Sequence, residues 1–124
     1  MKIVADLHIH SKYSRAVSPE MTLENIDIWA QKKGIQVMGT GDFTHPQWFN
    51  EIKTKLKPVE NGLYKIQDTY FMLTTEISSI YSKGGKARRI HNLIFAPSIE
   101  AVEKINTKLG WIGNLKSDGR PILG

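Results

Sequence analysis

The chain has 124 residues, enough for one domain with a real core, and its 40% hydrophobic and 23% charged content is that of an ordinary globular protein. It contains no cysteine, which excludes a disulfide framework and a thiolate metal site, and its net charge of +5 favours a polyanionic partner such as nucleic acid. Asp6 interrupts the first apolar stretch too early for a signal peptide, and no apolar run approaches the length of a membrane span, so the chain reads as intracellular and cytoplasmic.

In chain order, Val4 to Ser11 reads as a short strand that turns polar at its end. Side chains alternate faces in a strand, so Asp6, His8 and His10 share one face while Leu7 and Ile9 take the other. Two imidazoles with a carboxylate behind them can hold a metal, the carboxylate orienting one ring by accepting its second N–H. The bland alternative is a merely solvated polar face. Thr22 is placed to cap a helix through about Lys33, with Leu23, Ile26 and Ala30 on one face and Gly34 as its stop. Ile35 to Gly41 then reads as a buried strand that ends in Asp42. Strand, helix, strand is a βαβ unit, which predicts parallel pairing in an α/β fold.

Thr44 and Gln47 have the spacing of a capping box for a helix with Pro46 in its first turn and Trp48, Ile52 and Leu56 on its core face. Lys57 to Asp68 is punctuated by Pro58 and Asn61-Gly62, a loop or small hairpin. Tyr70 to Thr75 reads as a strand with Glu76 at its end. A glycine hinge at Gly84-Gly85 follows, set among Lys83, Lys86, Arg88 and Arg89. Ile90 to Phe95 is a further strand with His91 near its start, and Ser98 caps a helix striped by Ile99, Val102, Ile105 and Leu109. Active sites of parallel α/β folds collect at the carboxyl ends of the strands. His8, His10, Asp42, Glu76 and His91 therefore form a candidate metal and catalytic set on one rim. Separately, each has a plain reading: Asp42 a helix cap, Glu76 a surface charge, His91 a satisfied core histidine, the basic segment a solvated hairpin. Nitrogen and oxygen donors of this kind suit zinc, manganese or iron.

These residues carry a resemblance. Asp6-Leu7-His8-Ile9-His10-Ser11 resembles the opening motif of the PHP (polymerase and histidinol phosphatase) superfamily of metal-dependent phosphoesterases, and Thr75-Glu76-Ile77 and Arg89-Ile90-His91-Asn92-Leu93 resemble later ligand motifs. Thr40-Gly41-Asp42 falls where the superfamily has Thr-Asp-His, so the resemblance puts Asp42 in a histidine's ligand position. Ser14-Arg15-Ala16 replaces Ser-Asp-Gly and loses a ligand. These departures, together with Glu76-Ile77-Ser78-Ser79-Ile80-Tyr81, the basic glycine loop and the tail from Gly113 to Pro121, are similar to the endonuclease Q branch.

The resemblance implies the N-terminal portion of a distorted (β/α) barrel with mainly parallel strands, with residues 1–124 an incomplete domain. It implies divalent metal, zinc first with manganese or magnesium as alternatives. His8, His10 and Glu76 would hold one ion, Glu76 would bridge to a second with His91, Asp42 would be a further ligand, and Asp6 would stand behind the ligands. Lys83, Lys86, Arg88 and Arg89 would contact DNA phosphates. The implied activity is nicking of DNA 5′ to uracil, hypoxanthine or an abasic site. The alternatives are a phosphatase acting on a small ester such as histidinol phosphate, and a fragment that binds metal or DNA without turnover. Half a barrel leaves sheet edges and apolar surface uncovered, to be closed by a missing C-terminal half or by self-association.

Overall fold

The computed structural model describes residues 2–15, 17–116, 118–119 and 121–123. Ala16 of the first motif and Ser117 and Arg120 of the tail motif lie outside the described residues. Ten elements follow one another: β1 (Ala5–Asp6), α1 (Leu23–Lys33), β2 (Val37–Gly39), α2 (Pro46–Lys55), β3 (Lys57–Glu60), β4 (Leu63–Ile66), β5 (Thr69–Lys83), β6 (Lys86–Ala96), α3 (Ile99–Gly110) and β7 (Ile122–Leu123).

The helices end where local chemistry ends them. The Thr22 side chain accepts from the Asn25 N–H at the start of α1, and Gly34 closes it in a left-handed conformation with its N–H on the carbonyls of Ala30 and Gln31. Ser98 caps α3 in the same way, accepting from Ala101 N–H. The Thr44–Gln47 capping box does not form. His45 is the N-cap of α2 and makes no side-chain cap bond, while the buried Thr44 hydroxyl turns to Thr75 Oγ1 at 3.3 Å. Pro46 at the first helical position removes one of the N–H groups a cap would have to satisfy, which makes the box dispensable.

Among the described residues seven strands join one sheet built on β5, in the order β1-β2-β5-β4-β3, with β6 and β7 also paired to β5. The βαβ expectation holds for β1, β2 and β5, which pair in parallel through Asp6↔Met38 and Met38↔Phe71. Mainly parallel pairing does not. The pairs β3–β4, β4–β5 and β5–β6 are antiparallel, so the sheet is mixed. Turn chemistry explains the difference. Asn61-Gly62 makes a tight hairpin, and Gly84-Gly85, both at positive φ (61° and 75°), is the two-residue turn of a long hairpin rather than a hinge.

The core lies where α1, α2 and α3 cover the root of β5. Leu23, Ile26, Met38, Trp48, Ile52, Phe71, Leu73 and Val102 are all essentially inaccessible. The Trp48, Ile52 and Leu56 stripe is core, as its period predicts. Trp48 also donates its indole N–H to the carbonyls of Thr40 (3.2 Å) and Gly41 (3.0 Å), bracing the chain just before Asp42. Large apolar side chains remain at the periphery, Trp111 at 77% exposure and Ile3, Ile112 and Ile122 near 60%. Among the described residues no helix is long and apolar enough to cross a membrane.

Candidate metal centre

The two histidines lie just past β1, on an extended segment that runs closely over the end of β2. Two glycines permit that approach. A Cβ on Gly39 would collide with the Leu7 carbonyl, and one on Gly41 with the Ile9 carbonyl. Gly41 also has φ +64° and Asp42 φ +52°, consecutive left-handed residues that an Asp tolerates better than most. This turn sends the Asp42 carboxylate back beneath the loop that carries His10 and Ser11. Paired bonds between Thr40 and Thr74 hold β2 to β5: Thr40 Oγ1 donates to the Thr74 carbonyl at 3.2 Å and accepts its N–H at 3.1 Å.

Asp42 is completely buried, and four donors meet it. Oδ2 accepts from Ser11 N–H (2.5 Å), Ser11 Oγ (2.5 Å) and Ser14 Oγ (2.9 Å), while Oδ1 lies 3.1 Å from His10 Nδ1. A carboxylate oxygen accepts, so that contact places the ring proton on Nδ1 and makes Nε2 the nitrogen of His10 whose lone pair can bind a metal. Nε2 lies 3.8 Å from Glu76 Oε1. His8 Nε2 meets the other Glu76 oxygen directly. Glu76 is only 4% exposed, so the imidazoles converge on a carboxylate largely withdrawn from water.

His8, His10 and Glu76 offer three ligand atoms within 4.8 Å of one another, a group that could hold a metal ion. The other sequence-predicted residues stand one contact away. His91 Nδ1 is 3.5 Å from Glu76 Oε1 and 2.8 Å from Ser78 Oγ. Asp42 touches the group through His10. Asp6 meets the main-chain N–H of His8 at 3.4 Å rather than an imidazole. Glu76 is not at a strand's end. It sits in the middle of the 15-residue β5, and His91 in the middle of β6, which runs the opposite way. The register Glu76↔Leu93 and Ser78↔His91 puts them on one face.

Ser11, Ser14 and Ser78 are the polar residues that sequence reasoning missed here. Ser11 and Ser14 are buried (Ser11 fully), and the one available signal was their position directly after the histidine pair. Beside them, His45 stacks on Tyr13 with ring centroids 4.4 Å apart, and burial pushes its imidazole below the usual histidine range. The Tyr13 hydroxyl donates to Glu51 at 2.9 Å, and burial and that carboxylate raise the phenol above its ordinary value. Lys12 and Arg15 are paired with Glu51 (3.4 Å) and Asp118 (3.5 Å). By contrast, Lys83, Lys86, Arg88 and Arg89 are exposed, and none forms a salt bridge with any described residue.

Fold and site together define a mixed α/β chain with a candidate histidine–glutamate metal centre and an endonuclease Q-like fold. Its whole length matches the crystal structure of the lesion-specific endonuclease PfuEndoQ of Pyrococcus furiosus at 33% identity and a TM-score of 0.87. It matches equally, at 36% identity and a TM-score of 0.87, endonuclease Q in complex with a 27-mer duplex substrate with an abasic lesion at the active site. The chain is also 37% identical over 117 residues to an uncharacterized protein of Methanocaldococcus jannaschii. It spans 30% of each endonuclease chain and 13% of the Methanocaldococcus jannaschii protein. No family model matches the chain.

Proposed function

We propose that this chain carries the metal-binding part, and some of the DNA-contacting part, of an endonuclease that nicks DNA 5′ to uracil, hypoxanthine or an abasic site. One observation carries the reading: His8, His10 and Glu76 converge within 4.8 Å in a chain that matches a lesion-specific endonuclease over its full length. The donors fit a divalent metal. Two imidazole nitrogens and a carboxylate oxygen suit zinc, with manganese or magnesium as alternatives, and a carboxylate fixes the tautomer of one ring.

In this reading His8, His10 and Glu76 would hold the metal, His91 beside Glu76 would help hold a second ion, and Asp42 orients His10 rather than binding metal itself. A divalent metal there would lower the pKa of a water and neutralise charge on a phosphoryl oxygen. Ser11 and Ser14 keep the Asp42 carboxylate pointed at His10 Nδ1. Lys83, Lys86, Arg88 and Arg89 take up backbone phosphates without reading sequence, which makes binding strongly salt-dependent.

The test is incubation of the chain with metal and labelled duplexes carrying one uracil, hypoxanthine or abasic site, beside an undamaged control. A nick immediately 5′ to the lesion is expected. Release of phosphate from small esters with no nick would instead make the protein a phosphatase. A second reading, metal and DNA binding without turnover, is favoured by the exposed Trp111, Ile112 and Ile122, apolar surface of the kind a further partner or segment covers. Binding of both ligands with no nick would establish it.

A further inference from the structure

The four cations of the hairpin are not equivalent. Directly opposed residues of an antiparallel pair share a face, and faces alternate along each strand. The register pairs Ser78 with His91, Ile80 with Arg89, Tyr81 with Arg88 and Lys83 with Lys86. Glu76, Ser78, Ile80, Arg89 and His91 therefore lie on one face, and Tyr81, Lys83, Lys86, Arg88 and Ile90 on the other. The contact of His91 Nδ1 with Glu76 and Ser78 fixes which face looks onto the metal-ligand group. Arg89 is two residues from His91 on that face, about 7 Å along the strand. Lys12 and Arg15, the basic side chains of the loop after His10, are already paired with carboxylates. Of the four hairpin cations, Arg89 alone shares the Glu76–His91 face.

We propose that Arg89 contacts the phosphate held at the metal centre, while Lys83, Lys86 and Arg88, flanked by the exposed Tyr81 and Ile90, bind a separate stretch of the DNA backbone on the far face. The hairpin then works as a divider between two segments of one nucleic acid. A guanidinium suits the near position because its planar fork grips two phosphoryl oxygens at once. The far face supplies affinity that is independent of the metal. The proposal rests on the reading that the substrate is DNA whose phosphodiester sits at the His8, His10 and Glu76 group.

The test is a binding cycle by fluorescence anisotropy on the full chain, with a fluorescent abasic-site duplex, with and without zinc. It compares the unchanged chain with R89Q, R88Q and K86Q. All three substitutions are on exposed hairpin positions, and thermal melting checks that each variant folds. Zinc is expected to tighten DNA binding by the unchanged chain, and R89Q to lose that gain, about tenfold for a charge-assisted contact to phosphate. R88Q and K86Q are expected to weaken binding by the same factor with and without zinc, keeping the gain. Loss of the zinc gain in R88Q or K86Q, its retention in R89Q, or its absence from the unchanged chain overturns the assignment. No DNA binding by the unchanged chain, with or without zinc, overturns the DNA reading itself and the assignment with it.

Discussion

The root and the tip of the β5–β6 hairpin are built to opposite rules. At the root, Glu76 is a buried carboxylate, and beside it the buried Asp42 accepts from the Ser11 N–H, the Ser11 and Ser14 hydroxyls and His10 Nδ1. At the tip, Lys83, Lys86, Arg88 and Arg89 stand exposed on a two-glycine turn. A buried, hydrogen-bonded carboxylate is expensive to create and is held in one geometry, as the proposed metal centre requires. Solvated cations on a strand ribbon cost little and act over a Debye length, as a polyanion requires. In the proposed reading the hairpin thus serves short-range geometry midway along its length and long-range charge at its tip.

The largest expected effect breaks the root. Replacing His8 and His10 together by Ala removes two of three ligand atoms and is expected to abolish stoichiometric metal uptake, read by calorimetric titration; retained uptake would locate the metal elsewhere. D42N sharpens the same point. It keeps the shape but puts an amide in place of a carboxylate oxygen, so metal affinity is expected to fall roughly 10–100-fold, as for other groups that orient a ligating histidine. An unchanged affinity would show that Asp42 serves the fold alone.

At the tip, reversing charge in K86E/R88E is expected to weaken DNA binding and flatten its salt dependence while leaving metal affinity intact. The log–log salt slope should fall by about 0.9 for each phosphate that the variant no longer neutralises. A change in metal affinity would mean that the two regions are coupled. The smallest effect concerns pH. Because burial holds His45 below its ordinary 6.5, the unfolded chain takes up this proton first as the pH drops. His45 therefore adds no pH dependence well above 6.5, and stability declines as pH falls through and below that value. H45Q is expected to flatten that decline in urea melts by about 1 kcal/mol or less.

What was legible in the sequence was local. The Thr22 and Ser98 caps and the Gly34 stop depend on neighbours about one helical turn away and the Trp48 stripe on the helical period alone, and each reads the same in the structure. All five candidate site residues were recognisable by chemical type, and His8, His10 and Glu76 do come together, but not at strand ends as the strand pattern had it. The extent of β5 was not legible. From Leu73 to Ser78 it is buried on both faces, so no polar alternation marks its continuation past Glu76. Gly84-Gly85 therefore read as a hinge when it is the turn that folds His91 back onto Glu76. The relation of Asp42 to His10 was equally hidden, because it depends on a backbone reversal at Gly41 and on serines about 30 residues away in sequence.

The most direct measurement is X-ray absorption at the zinc edge of the metal-loaded chain, alongside its H8A/H10A variant. The account expects a first shell of nitrogen and oxygen with the multiple-scattering signature of two imidazoles, lost in the variant. A shell of oxygen alone, or a two-imidazole signature unchanged in the double variant, would contradict a metal centre at His8, His10 and Glu76.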